Sequence, residues 1–250
     1  MNIYFPKNIF TSVIAASMPE NLKGKMHFQS SSIICSSLEK DNNGIALVST
    51  TDILTHRELF ISRKFGISFE SSLCNSYLYF SNNRSLKSLN LTGDVSSLEV
   101  ILSKILFKEL YDSDVEIKLS TALTKEVGNL LLVGEQNFYD ERLFDGISFS
   151  EEMIELISLP FVNFVLASAN ESLIKEKESL WLEIIPNVYN MFESLQEYFS
   201  FTEKTLIYIK QNISSLVMEF DIQDVEGILQ LIRIPYYYGI IKDMIDIKFV

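Results

Sequence analysis

Four segments rich in apolar residues occur in a fixed order along the chain. They predict strands at residues 45–48, 89–91, 130–133 and 161–167, because short, bounded apolar runs are typical of buried strands. Small hydroxyl residues follow the first two strands where a helix is predicted to begin: Ser49, Thr50 and Thr51 after the first, Ser96 and Ser97 after the second. The third ends at Gly134.

The clearest helical pattern covers residues 96–111, where apolar side chains recur every three or four residues. Asp94 or Ser96 is placed to cap this helix, and Glu99 fits a capping-box sequence. After residue 170 the pattern becomes entirely helical. The other predicted elements are short strands at residues 2–5, 33–36, 67–69, 76–80 and 115–119, and a turn at residues 82–85. Helices are predicted at residues 8–19, 50–56, 150–157, 171–199 (interrupted at Pro186), 202–219 and 222–233.

A βα-rich half followed by helices predicts an α/β fold with mixed sheets, two lobes and a helical C-terminal segment. The apolar faces of the C-terminal helices need a sheet to cover. We therefore assign residues 1–84 and 170–250 to lobe one and residues 85–169 to lobe two. The turn at residues 82–85 is a candidate crossing, and a ligand cleft is expected between the lobes.

The chain has 250 residues and a formal net charge of −12. Its 21 Lys and Arg residues are scattered among 33 Asp and Glu residues, which disfavours nucleic acid and anionic membrane surfaces as partners. No apolar run is long enough to span a bilayer. We find no convincing export signal and therefore expect a cytoplasmic protein. The sequence leaves open whether it is a monomer or a dimer.

The hydroxyl residues are the main candidates for ligand binding. Hydroxyl and backbone N–H groups at a helix start can hold an anion without a basic side chain, so a small carboxylate is the expected partner. The simpler interpretation is helix capping alone, and both remain open. We expect no cofactor and no metal, since metal-ligand clusters, phosphate loops and a dinucleotide fingerprint are absent from the sequence.

The order of these segments resembles the menaquinone-biosynthesis family of the futalosine route, which includes chorismate dehydratase. Residues 44–54 are similar to the family's strand and turn after its first βα unit, and residues 76–81 (SYLYFS) to its Ser-Val-Leu-Leu-Phe-Ser strand. Residues 95–98 (VSSL) lie where the family has Arg-Thr-Ser-Val, and residues 132–135 (LVGE) where it has Ile-Gly-Asp.

The resemblance implies a type 2 periplasmic-binding-protein fold and a lyase that removes water from chorismate. It further implies that Ser49, Thr50, Ser96, Ser97 and Gly134 bind the substrate. The catalytic residues it implies, at the reacting ring, are Asn8 and Ser76.

This chain departs from the family pattern. Val95 stands where the family has an Arg that would bind a carboxylate, and the N-terminal Tyr-Leu-Asn motif reads Pro6-Lys7-Asn8. The alternative hypothesis is therefore a non-catalytic or degenerate protein of the same fold that binds a small carboxylate.

Overall fold

The computed structural model describes residues 1–81, 85–121 and 128–250, which form two β-sheets with helices packed against them. The strands of the first sheet, in spatial order, are β11 (Leu216–Glu219), β4 (Phe60–Phe69), β10 (Phe161–Ser168), β3 (Gly44–Ser49), β1 (Asn2–Pro6) and β2 (Met26–Gln29), with β12 (Lys248–Phe249) on β4. The second sheet runs β7 (Glu116–Leu119), β6 (Ser88–Gly93), β8 (Asn129–Val133), β5 (Ser76–Tyr79) and β9 (Ile147–Ser148).

Both sheets are mixed. In the first, β1 is parallel to β2 and β3, whereas β10 is antiparallel to β3 and β4. In the second, β6 is parallel to β7 and β8, and β5 is antiparallel to β8 and β9. Every residue of β3, β8 and β10 is buried, which explains their continuous apolar sequence. The predicted α/β class with mixed sheets is confirmed.

The helices are α1 (Ile9–Ser17), α2 (Glu20–Lys23), α3 (Ser31–Leu38), α4 (Ser97–Tyr111), α5 (Phe149–Ile157), α6 (Glu171–Glu183), α7 (Ile185–Glu193), α8 (Glu203–Asn212) and α9 (Ile222–Tyr237). None of those in the described residues is both long and apolar enough to cross a membrane. Trp181 of α6 is fully buried against the first sheet, with ring centroids 5.9 Å from Phe5 and 5.1 Å from Phe65. Helices α6 and α9 pack directly on that sheet.

Two local predictions are wrong. Residues 33–36 lie in α3, whose buried side chains Ile34, Cys35 and Leu38 share one helical face. The C-terminal segment is not entirely helical, because the predicted helix at residues 202–219 ends at Asn212 and is followed by strand β11. Both segments are short and owe their conformation to packing against the first sheet.

The predicted turn at residues 82–85 lies, apart from Ser85, outside the described residues. The two-lobe boundaries stay a prediction. The strand pairings favour limits for lobe two that lie earlier in the chain at both ends, since β5 belongs to the second sheet and β10 to the first. The segments that join the sheets are then residues 70–75, between β4 and β5, and residues 158–160, between α5 and β10.

Candidate functional site

The start of α4 is built as its sequence predicts. Ser96 is the N-cap, and its Oγ accepts a hydrogen bond from the backbone N–H of Leu98 at 3.1 Å. Its own N–H donates to Glu99 Oε2 at 2.9 Å, which completes the capping box. Helix α4 therefore begins with a fixed geometry just after the C-terminal end of β6, an interior strand of the second sheet.

The two groups of hydroxyl residues meet across the sheets. Ser49 Oγ, at the end of β3, lies 2.6 Å from Ser96 Oγ. Thr51 Oγ1 lies 2.8 Å from Ser97 Oγ. We call the contact zone formed by Ser49, Thr51, Ser96 and Ser97 the lobe seam. The four hydroxyls, 46 or 47 residues apart along the chain, pair with one another.

Hydrogen bonds use the full capacity of the Ser96 hydroxyl. It donates its only proton to Glu99 Oε2 at 2.8 Å and accepts from the Leu98 N–H, so the remaining lone pair faces Ser49. When Glu99 is charged, Ser49 is then the donor in the Ser49–Ser96 pair. The Ser96 hydroxyl can then contact a ligand only after the seam contact is broken.

Two carboxylates of the chain itself lie at helix starts on either side of the seam. Asp52 Oδ1 accepts from the Ser97 N–H at 3.3 Å, at the beginning of α4. Asp94 accepts from the Ser31 N–H at 2.8 Å, at the beginning of α3. These are the positions where a helix favours an anion.

Burial raises the pKa of Glu99 to about 7, even though two hydrogen bonds from Ser96 favour its charged form. Burial also raises the pKa of Asp52 above its usual value, with hydrogen bonds from Ser97 opposing the shift. Ion pairs between described residues involve neither carboxylate. The seam is thus acidic and is held by hydroxyl and backbone groups.

The other predicted ligand-binding residues have structural contacts. Thr50 is buried and donates its hydroxyl proton to the Val162 carbonyl at 2.6 Å, which ties the end of β3 to β10. Gly134 has a φ of +106°, which suits glycine, and its N–H donates to the Asn75 carbonyl at 2.8 Å. A carbon atom added at Gly134 would lie 3.7 Å from the Lys7 carbonyl. Ligand binding by these residues stays a prediction.

Asn8 and Ser76, the predicted catalytic residues, are each 1% exposed and have polar atoms that lack a hydrogen-bond partner in the part of the chain that the structure describes. Asn8 Oδ1 caps α1 by accepting from the Thr11 N–H, whereas its Nδ2 is unpartnered. Ser76 Oγ, at the start of β5, is also unpartnered. Buried polar groups normally have partners, so both atoms are candidates to contact a bound polar molecule.

Asn163 is a candidate that the sequence did not reveal. It is fully buried, and neither its Nδ2 nor its Oδ1 has a hydrogen-bond partner among the described residues. It lies at a register shift in β10, between Val162, which binds Thr50, and Phe164, which pairs with Ser49. The signal for this candidate in the sequence is a polar residue within an apolar run, and it was not recognised.

Asn163, Asn8 and Ser76 each adjoin a residue that contacts Ser49 or Asp94. Asn8 follows Lys7, whose N–H donates to Asp94 Oδ2 at 3.1 Å. Ser76 pairs with Val133, the residue before Gly134. The described part of the chain contains no group of three or more His, Cys, Asp and Glu side chains that could hold a metal ion.

The arrangement defines the fold. Two mixed α/β units joined by two crossing segments, with helix starts facing each other, form the two-lobe fold of the type 2 periplasmic binding proteins.

Several solved structures share this fold. Protein AF1704 from Archaeoglobus fulgidus is similar with a TM-score of 0.69 at 10% identity, over 96% of this chain and 98% of that one. The periplasmic aliphatic sulphonate binding protein SsuA from Escherichia coli has a TM-score of 0.61 at 10% identity, over 99% and 90%. The alkanesulfonate-binding protein SsuA from Xanthomonas axonopodis pv. citri, bound to MOPS, has a TM-score of 0.59 at 8% identity, over 98% and 95%.

Sequence comparison gives no identification more specific than the fold. No protein-family model matches the chain, and no curated protein matches it significantly. Structural similarity at 8 to 10% identity shows the fold alone. The resemblance to the menaquinone-biosynthesis family is therefore supported in its fold and not in its activity.

Proposed function

We propose that this protein binds a small carboxylate in the space between its two lobes and that it acts as a binding protein. The observation that carries the proposal is the set of buried polar atoms on Asn8, Ser76 and Asn163 that lack a hydrogen-bond partner among the described residues. Each of these residues adjoins one that contacts Ser49 or Asp94. An unpartnered buried amide costs free energy unless a bound molecule satisfies it. Three such residues beside one seam favour a specific polar ligand.

The chemistry of these groups narrows the ligand class. An amide offers two donors and one acceptor, and a hydroxyl offers one donor. They suit a molecule that carries hydroxyl or carbonyl groups besides its carboxylate. Asp52, Asp94 and Glu99 already place acidic groups at the seam, and Val95 provides no cation. A monoanion therefore fits better than a dianion, because each further charge would meet like charges.

The names of two similar structures support an anionic ligand. Both SsuA proteins are described as binding sulfonates, which are small organic anions like carboxylates.

We also propose that the protein is located in the cytoplasm.

The proposal can be tested by a thermal-shift screen with benzoate, 3-hydroxybenzoate, chorismate and a short alkanesulfonate. A specific ligand at about 100 times its dissociation constant should raise the free energy of unfolding by about 2.7 kcal/mol. Methyl benzoate serves as the uncharged control. If no acid stabilises the protein more than the methyl ester does, the proposed carboxylate site is wrong.

We expect Asn163→Leu to raise the free energy of unfolding of the ligand-free protein by about 1–3 kcal/mol and to abolish ligand-induced stabilisation. The gain follows because Leu removes two unsatisfied buried polar atoms at similar volume. Urea unfolding with and without the best acid from the screen measures both effects.

Asn129→Leu is the matched control for this substitution. Asn129 is equally buried, but its Oδ1 accepts from the Ser81 N–H and its Nδ2 donates to the Ser85 and Ser88 carbonyls. The same replacement should therefore lower stability at residue 129. A loss of stability at both positions would mean that the Asn163 amide has a structural partner, such as a buried water molecule, and would remove it from the ligand site.

The second candidate function is a lyase of the chorismate dehydratase type in menaquinone biosynthesis. It is favoured by Asn8 and Ser76, which stand at the positions implied by the resemblance and keep buried, unpartnered polar atoms. Their roles would be to orient the ring while it loses water. Incubation with chorismate, followed by mass spectrometry for the enolpyruvyl-oxy benzoate product, distinguishes the two functions. Product formation that disappears in Asn8→Ala would establish the lyase.

A further inference from the structure

Asp94 makes four hydrogen bonds to groups on the other side of the seam. Its Oδ1 accepts from the Ser31 N–H at 2.8 Å and from Ser30 Oγ at 3.0 Å. Its Oδ2 accepts from Ser31 Oγ at 2.7 Å and from the Lys7 N–H at 3.1 Å. The carboxylate thus occupies the N-terminus of α3 as a bound anion would.

Asp94 itself belongs to the second sheet. It follows Gly93, the last residue of β6, and its N–H donates to the Val133 carbonyl of β8 at 3.1 Å. The donors that it binds belong to residues that flank β1, β2 and α3 of the first sheet. The contact therefore joins the two sheets over sequence separations of 63 to 87 residues.

We propose that Asp94 is a built-in anion that locks the lobe seam by occupying the donors at the start of α3. A carboxylate with four donors forms strong, charge-assisted hydrogen bonds, and in the described residues no cationic side chain pairs with it. Closure of the seam then requires no ligand. An external carboxylate must displace Asp94 to reach these donors; this second statement rests on the proposed function, whereas the lock does not.

The lock is tested by hydrogen exchange at an amide that Asp94 does not touch. The Ser97 N–H donates to Asp52 in a separate link across the same seam. If Asp94 locks the seam, Asp94→Ala should speed exchange of the Ser97 amide about tenfold or more, because the seam opens more often. Asp94→Asn, which keeps the shape and removes the charge, should give a smaller effect in the same direction and provides a variant that folds if Ala does not.

Two variants control for other effects of losing a carboxylate. Asp221 caps α9 through the Gln223 and Asp224 N–H groups, all within the first sheet's lobe, so Asp221→Ala removes a comparable helix cap. Glu58 makes an exposed ion pair with Lys248, and both residues lie beside the first sheet, so Glu58→Ala removes an interaction at the surface that does not join the lobes. Neither should change exchange at Ser97. If Asp94→Ala and Asp94→Asn leave Ser97 as protected as in the parent, Asp94 is only a local cap of α3 and the lock is wrong.

Displacement by an external anion is tested with sodium acetate against sodium chloride at equal ionic strength. Acetate should raise the melting temperature of Asp94→Ala, whose donors are vacated, more than that of the parent or of Asp221→Ala. An equal response of all three proteins would overturn the displacement statement. Because neither experiment uses the acids of the ligand screen, the lock can be confirmed even if that screen finds no binder.

Discussion

Glu99→Gln is expected to stabilise the protein by roughly 3 kcal/mol above pH 7 and to leave its stability nearly unchanged near pH 4.5. Burial raises the pKa of Glu99 from 4.5 to about 7, so the folded protein holds a proton that the unfolded chain has already released between these values. The stabilisation that this proton provides is complete below about pH 4.5 and is lost as the pH rises to about 7. Gln keeps an acceptor for Ser96 without a charge.

The measurement is urea unfolding of parent and variant between pH 4.5 and 8. In the parent the contribution of Glu99 makes stability fall with pH, and Glu99→Gln should remove that part of the slope. Because the chain carries a net charge of −12, loss of any carboxylate relieves some repulsion. Glu58→Gln, at an exposed residue that pairs with Lys248, controls for this general effect. If Glu99→Gln and Glu58→Gln raised the free energy of unfolding equally, burial of Glu99 would not be the cause of the stabilisation.

Gly93→Ala is expected to lower the free energy of unfolding by about 3–5 kcal/mol, from backbone strain and overlap together. Gly93 has a φ of +97°, and a Cβ atom there would lie 1.8 Å from the Val133 carbonyl oxygen. The backbone must shift to relieve this overlap, and Asp94 is the next residue. Hydrogen exchange at Ser31, whose N–H binds Asp94, should therefore increase as stability falls.

Gly24→Ala is the control for this substitution. Gly24 follows α2 with a φ of −70°, and no atom lies within 4 Å of the Cβ position. Ala should be neutral there or stabilise by about 0.4–1 kcal/mol, because it restricts the unfolded chain. If denaturant unfolding shows that Gly93→Ala lowers the free energy of unfolding no more than Gly24→Ala does, the close approach of β6 to β8 is not a constraint on the fold.

Sequence patterns predicted the buried framework well. Strands β3, β8 and β10 and helix α4 were identified within one or two residues, because a strand buried on both faces and a capped amphipathic helix have strong local signals. Strand β2 was not predicted, and residues 33–36 of helix α3 were predicted as a strand. Their sequences are polar or rich in serine, and only packing against β1 and β3 determines their conformation.

The candidate site was predicted in part. Sequence located the hydroxyl residues, since each group follows an apolar strand, but it could not show that Ser49 and Thr51 would pair with Ser96 and Ser97. The role of Asp94 was also hidden. Its partners lie at least 63 residues away, and no local pattern distinguishes such a carboxylate from a solvated one.

Strand β10 lies between β3 and β4 at the centre of the first sheet, although the chain forms the whole second sheet between β4 and β10. During synthesis, β4 therefore lacks its partner strand β10 until residues 70–160 have been translated. This takes about 5–20 s at typical rates. The second sheet is complete before this neighbour emerges from the ribosome. Meanwhile β3 and β4 expose apolar, unpaired edges, so the nascent chain is most prone to aggregation at this stage.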